Sequence, residues 1–125
     1  MTTLLAMLVA LVMIAGGAAH FAATQSFEPL VPPLLPARPV ILATGVLQIA
    51  IGIAALAPRT RALAGLAFAL LCLAYMPLHL WDFVRPDPVF APPIAAGIRV
   101  AVQIAFIVAG YALWKRASSS PTASA

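Results

Sequence analysis

The sequence predicts an all-α fold, an integral membrane bundle of four helices, and three observations point there. Of 125 residues, 64% are hydrophobic and only 8% charged, whereas soluble domains carry roughly a quarter charged residues. Ten charged side chains are too few to clothe a water-facing exterior for a chain of 125 residues. The apolar residues gather in four stretches, at about 3–23, 40–57, 62–81 and 94–114, each near the ~20 residues that span a hydrocarbon core. Nearly every charge falls between or beside those stretches.

The first stretch reads as a retained span. Ala18 and the alanines after it resemble a small-residue cleavage region, but Met1-Thr2-Thr3 carries no Lys or Arg and the apolar run exceeds the 7–15 residues of a signal-peptide core. A proline-rich connection follows, Glu28-Pro29-Leu30-Val31-Pro32-Pro33-Leu34. It is expected to be ordered from Phe27 to Pro39 and to lie over the bundle on Leu30, Val31, Leu34 and Leu35, because prolines lower the entropy lost on ordering. In the second stretch Gly45, Gln48 and Gly52 share one helix side where another helix can approach closely, as Gly16 and Gly17 allow in the first. A tight turn, Pro58-Arg59-Thr60-Arg61, leads to the third stretch, whose Pro77 lacks an N–H and should loosen the end of its helix. The next connection, Asp87-Pro88-Val89-Phe90-Ala91-Pro92-Pro93-Ile94, opens the fourth stretch. The chain thus divides into a four-helix domain, 1–116, and a small, polar tail, 117–125, expected to be a disordered cytoplasmic extension.

The two proline-rich connections align with one residue inserted, as acid-Pro-apolar-apolar followed by Pro-Pro-apolar, and His20 or His79 precedes each. That pattern predicts two helical hairpins of like orientation, related by a pseudo-two-fold along the membrane normal; the alternative is that Pro-Pro starts two unrelated helices. Arg59, Arg61, Lys115 and Arg116 lie on one side of such a bundle, against Arg38 and Arg85, which are accompanied by Glu28, Asp82 and Asp87. The larger basic share puts both termini inside. The basic residues form no stripe with interleaved aromatics, so nucleic acid is not an expected partner.

Polar side chains inside the apolar stretches are the functional clue, because lipid penalises them unless something compensates. They are His20, Gln48, His79, Arg99 and Gln103, and at ~1.5 Å per residue all fall in the outer half. Arg99 and Gln103 are four apart, with Phe106 and Gly110 continuing one face that should point inward. Arg99 should be met by groups from at least two other elements, with Gln48, His20, Glu28 and Asp82 as candidates, unless it snorkels to the headgroups. Two histidines do not make a metal site, which takes three or four ligands. The one cysteine, Cys72, excludes an intrachain disulfide and a CxxC pair. No nucleophile elbow or phosphate-cradling glycine loop is present, so no catalytic residue is visible.

Gly17-Ala18-Ala19-His20-Phe21, Val31-Pro32-Pro33-Leu34-Leu35-Pro36, Thr44-Gly45, Pro58-Arg59-Thr60-Arg61, Met76-Pro77 and Arg99 with Gln103 occur in this order along nearly the whole chain. In this the chain resembles the DoxX-like family of small four-helix membrane proteins. The resemblance implies a bacterial cytoplasmic membrane protein, and for some members an association with thiosulfate or thiol oxidation and quinone-linked redox complexes. Two departures stand out. Relatives often carry a glutamate after the glycine of the second helix where this chain has Gln48, and an Asn after the third-helix proline where it has Leu78-His79.

Two functions follow as expectations. One is an accessory subunit of a membrane redox system, in which Arg99, Gln103, Gln48, His20 and His79 bind a quinone or similar lipid-soluble molecule between walls of Phe21, Tyr75, Trp81 and Phe106. No cofactor would be covalently held, and electrons would come from a partner protein. The other is an assembly or structural subunit without a ligand, its polar groups locking the helices together. A transporter or channel ranks third, since so few polar residues give no through-going path unless the chain forms a homo-oligomer.

Overall fold

The computed structural model describes residues 1–119. Four long helices dominate, α1 (Thr2–Ala22), α3 (Ala37–Leu56), α4 (Arg61–Trp81) and α5 (Ile94–Ser118), and a short helix, α2 (Thr24–Phe27), runs into a 3-10 turn at Glu28–Leu30. No strand occurs among the described residues. All four long helices are long and apolar enough to cross a membrane. Their outward faces carry large apolar side chains such as Leu4, Leu11, Ile53, Leu63 and Val108, a surface that lipid stabilises and water would not.

Two tight hairpins make the bundle, α1 with α3 and α4 with α5, and the hairpins meet each other more sparingly along α3 with α4 and α1 with α5. Glycine sets the separation inside each hairpin. A Cβ on Gly17 would stand 2.7 Å from the Gly45 carbonyl oxygen, and one on Gly110 would stand 2.8 Å from that of Gly65. These are backbone contacts that cannot move aside, so only glycine lets the helices approach this closely. The same device therefore serves both halves of the suspected repeat.

The ends of the helices differ from expectation in two places. Helix α3 begins at Ala37, with Pro39 in its first turn, where a missing N–H costs nothing because those donors have no intrahelical partner. Helix α5 runs on to Ser118, beyond the residue at which the tail was expected to begin. Lys115 and Arg116 favour the negative end of the helix, Ala117 is buried, and the Ser119 hydroxyl donates to the Lys115 carbonyl at 2.8 Å. The remainder of the expected tail, 120–125, lies outside the described residues.

The interior has two unlike halves. Toward the 57–60 turn, the start of α1 and the end of α5, Val9, Ala10, Met13, Ile51, Ala55, Ala64, Phe68 and Leu113 form a close-packed core. Toward the two long connections the hairpins part, and a cavity opens between them.

Candidate functional site

The cavity encloses about 270 Å³ and takes one stripe from each long helix. Helix α1 contributes Val12, Met13, Gly16 and His20; α3 contributes Val40, Ile41, Thr44 and Gln48; α4 contributes Cys72, Tyr75, Leu78 and His79; α5 contributes Arg99, Gln103 and Phe106. Spacings of three and four residues keep each set on one helical face. Phe27 at the end of α2, with Leu30 and Val31 just beyond it, closes the end nearest the connections. All five intramembrane polar residues singled out in the sequence, His20, Gln48, His79, Arg99 and Gln103, line this one space.

Arg99 is held by Asp82, the C-terminal capping residue just beyond α4. Its Nη1 lies 2.8 Å from Asp82 Oδ2, and its guanidinium sits 4.1 Å over the Phe90 ring. Of the four candidate partners only Asp82 bonds it, and Phe90 belongs to the same connection as Asp82, so the contacts come from one element where at least two were expected. Asp82 is 1% exposed and Arg99 19%, so the pair is removed from water and not snorkelling. The second oxygen of Asp82 accepts the Val89 backbone N–H at 3.0 Å and lies 3.8 Å from Arg85 Nη1. Arg85 Nη1 in turn donates to the Pro29 carbonyl at 2.9 Å, which ties the third connection to the first.

The glutamines approach adjacent turns of α4 from opposite hairpins. Gln48 Nε2 donates to Tyr75 Oη at 3.2 Å, and Gln103 Nε2 donates to the Cys72 carbonyl at 2.5 Å. The histidines are fixed alike, each through Nδ1 to the carbonyl four residues back, His20 to Gly16 at 2.7 Å and His79 to Tyr75 at 2.9 Å. The His20 ring also stacks on Phe27, with centroids 4.2 Å apart. Among the described residues no three of His, Cys, Asp and Glu gather as metal ligands.

Two of the four expected walls are elsewhere. Tyr75 and Phe106 line the cavity, but Phe21 packs against Gly45 and lines a different groove, and Trp81 lies under the Arg85 guanidinium beside a separate groove. A helix presents one face inward, and His20 and Leu78–His79 occupy it, turning their neighbours away. Phe27, Thr44 and Cys72 are lining residues that sequence reasoning missed. The first connection also departs from expectation. Leu30 and Val31 face the cavity, whereas Leu34 is 95% exposed, because the chain reverses at Pro32–Leu35 to enter α3.

The four apolar helices define a multi-pass membrane protein with a largely apolar cavity between its hairpins. The chain belongs to the family described as a domain of unknown function, DUF8561, whose match covers residues 8–114 and so both hairpins and the whole cavity. No curated protein and no solved structure matches the chain.

Proposed function

We propose that the protein is an accessory subunit of a membrane redox system whose cavity holds a quinone or similar lipid-soluble molecule. One observation carries this reading: His20, Gln48, His79, Arg99 and Gln103 converge, from all four long helices, on one space with largely apolar walls. Lipid-soluble ligands with a polar ring are recognised by such sites, where apolar surface supplies affinity and a few polar groups fix orientation. The DoxX-like resemblance supports the redox setting. The chain brings no flavin or haem motif, so electrons would pass to or from a partner membrane protein. By the same reading the protein resides in a bacterial cytoplasmic membrane, with both termini cytoplasmic and the cavity in the outer half, since Arg59, Arg61, Lys115 and Arg116 mark the inner side.

The test is titration of the full-length protein in lipid nanodiscs with decylubiquinone, followed by tryptophan fluorescence, alongside a Val12→Phe variant that fills the cavity. Saturable binding by the wild type, lost in a variant of unchanged thermal stability, is the expected result. Absence of saturable binding by the wild type contradicts the reading.

A second reading, a structural or assembly subunit with no ligand, is favoured by one feature. The Arg99 charge is already spent on Asp82 within the protein. Under that reading an Arg99→Leu variant loses stability and nothing else, and native-membrane pull-downs return a stable complex whose bundle contains no extractable quinone.

A further inference from the structure

The hydrogen bonds of the cavity carry information about which ligand chemistry fits it. A backbone carbonyl has no proton to give, so the contacts of His20 to Gly16 and of His79 to Tyr75 place the imidazole proton on Nδ1 in both rings. In the neutral imidazole Nε2 is then an acceptor. The two acceptors come from α1 and α4, one from each hairpin, and both residues line the cavity. Part of the other polar capacity is already engaged: the Gln48 and Gln103 amide nitrogens each donate to α4, and Arg99 Nη1 donates to Asp82.

A quinone carbonyl accepts hydrogen bonds and gives none. It would be served by the remaining N–H groups of Arg99 and by the Tyr75 hydroxyl, but would leave both imidazole acceptors unpaired in an apolar space. That omission is costly. A hydroxyl both donates and accepts, and satisfies both kinds of group.

We propose that the cavity prefers the hydroquinone form of its ligand, a dihydroxy aromatic ring whose two hydroxyls donate to His20 Nε2 and His79 Nε2, one on each hairpin. This rests on the reading of the cavity as a quinone-type site and adds the redox form that it selects. Phe27, stacked on His20, and Phe106 supply aromatic surface for the ring. Tighter binding of the reduced form also raises the potential of the bound couple.

The experiment compares decylubiquinol with decylubiquinone, under anaerobic conditions, on the full-length protein in nanodiscs. For the wild type the quinol binds at least about tenfold more tightly, the order expected from one to two net hydrogen bonds. A tenfold preference moves the midpoint of the bound two-electron couple about 30 mV positive. His20→Phe and His79→Phe keep an aromatic ring, and in the first case the stack on Phe27, while removing the acceptor. In the double variant the preference falls to about one, since the hydrogen bonds that distinguish the quinol are lost. A wild type that binds quinone as tightly as quinol overturns the preference without any recourse to variants, and leaves the quinone site standing. A preference that survives in the double variant overturns the assignment to the histidines. Binding of neither form overturns both this inference and the reading beneath it.

Discussion

Asp82 and Arg99 meet where a charge can least tolerate isolation. Asp82 is almost wholly buried, and each of its oxygens is engaged, one by Arg99 and one by the Val89 N–H. Removing either member of a buried pair leaves the other uncompensated, which typically costs about 3–5 kcal/mol. Asp82→Ala and Arg99→Leu are therefore each expected to lower the thermal unfolding temperature in detergent by several degrees. The double variant should lose much less than the sum of the two. Simple additivity would show that the pair contributes no coupling. That Arg99 needed a partner was legible in the sequence, because an arginine in an apolar stretch must find acceptors or reach water. Which partner it found was not, since Glu28 and Asp82 are equivalent as acids near the outer end. The path of the third connection, with Val89 bonded to Asp82 and Phe90 under Arg99, decides between them. Thr44, Cys72 and Phe27 were illegible for another reason: in a chain so apolar, a small or aromatic residue gives no contrast between a cavity wall and ordinary packing.

Within the elements, the glycine seams and the connections carry the architecture. Gly17 with Gly45, and Gly65 with Gly110, bring backbones into contact, so a side chain added there must force the helices apart. Gly65→Leu is expected to destabilise the α4–α5 hairpin by at least ~1–3 kcal/mol, the range for overpacking, measured as reduced thermal stability. An unchanged unfolding temperature would contradict the close approach. The turn between α3 and α4 explains why its residues have the types they do. Arg61 donates to the Ala55 and Leu56 carbonyls and Thr60 to that of Ala54, so the C-terminal carbonyls of α3, which lack intrahelical donors, are satisfied by the turn itself. The first connection is held by Arg85 on Pro29 and by Phe27 on His20. It should resist protease in intact spheroplasts, and Arg85→Ala should make it more sensitive; rapid cleavage of the wild type would contradict the contact. Helix positions were readable from apolar run lengths. The short α2 was not, because four residues between Ala23 and Glu28 carry no periodic signal.

The whole molecule combines a solid half with a hollow one. The packed core around Phe68 and Leu113 holds the two hairpins together, and the cavity needs that rigid base because the hairpins part above it. The division was legible as an absence of polar residues from the stretches nearest the 57–60 turn. The pairing of helices into two hairpins followed from the repeated proline-rich connections, and both hairpins use the same glycine seam and the same histidine-to-carbonyl bond. With four spans, residues 2 and 118 lie at the same end, and the basic side chains predict that end to be cytoplasmic. Fusions of a periplasm-active reporter after residue 119 should be silent and a cytoplasm-active one bright. The opposite pattern would invert the orientation and place the cavity in the inner half.

The claim that the cavity holds a lipid-soluble ring is tested most directly by photolabelling. An azido-quinone irradiated with the nanodisc-embedded protein, followed by peptide mass spectrometry, should mark the cavity residues Phe27, Leu30, Leu78 and Phe106, and excess decylubiquinone should protect them. Labelling confined to lipid-facing side chains such as Leu4, Leu11, Ile53 and Val108, with no protection by the competitor, would contradict the account.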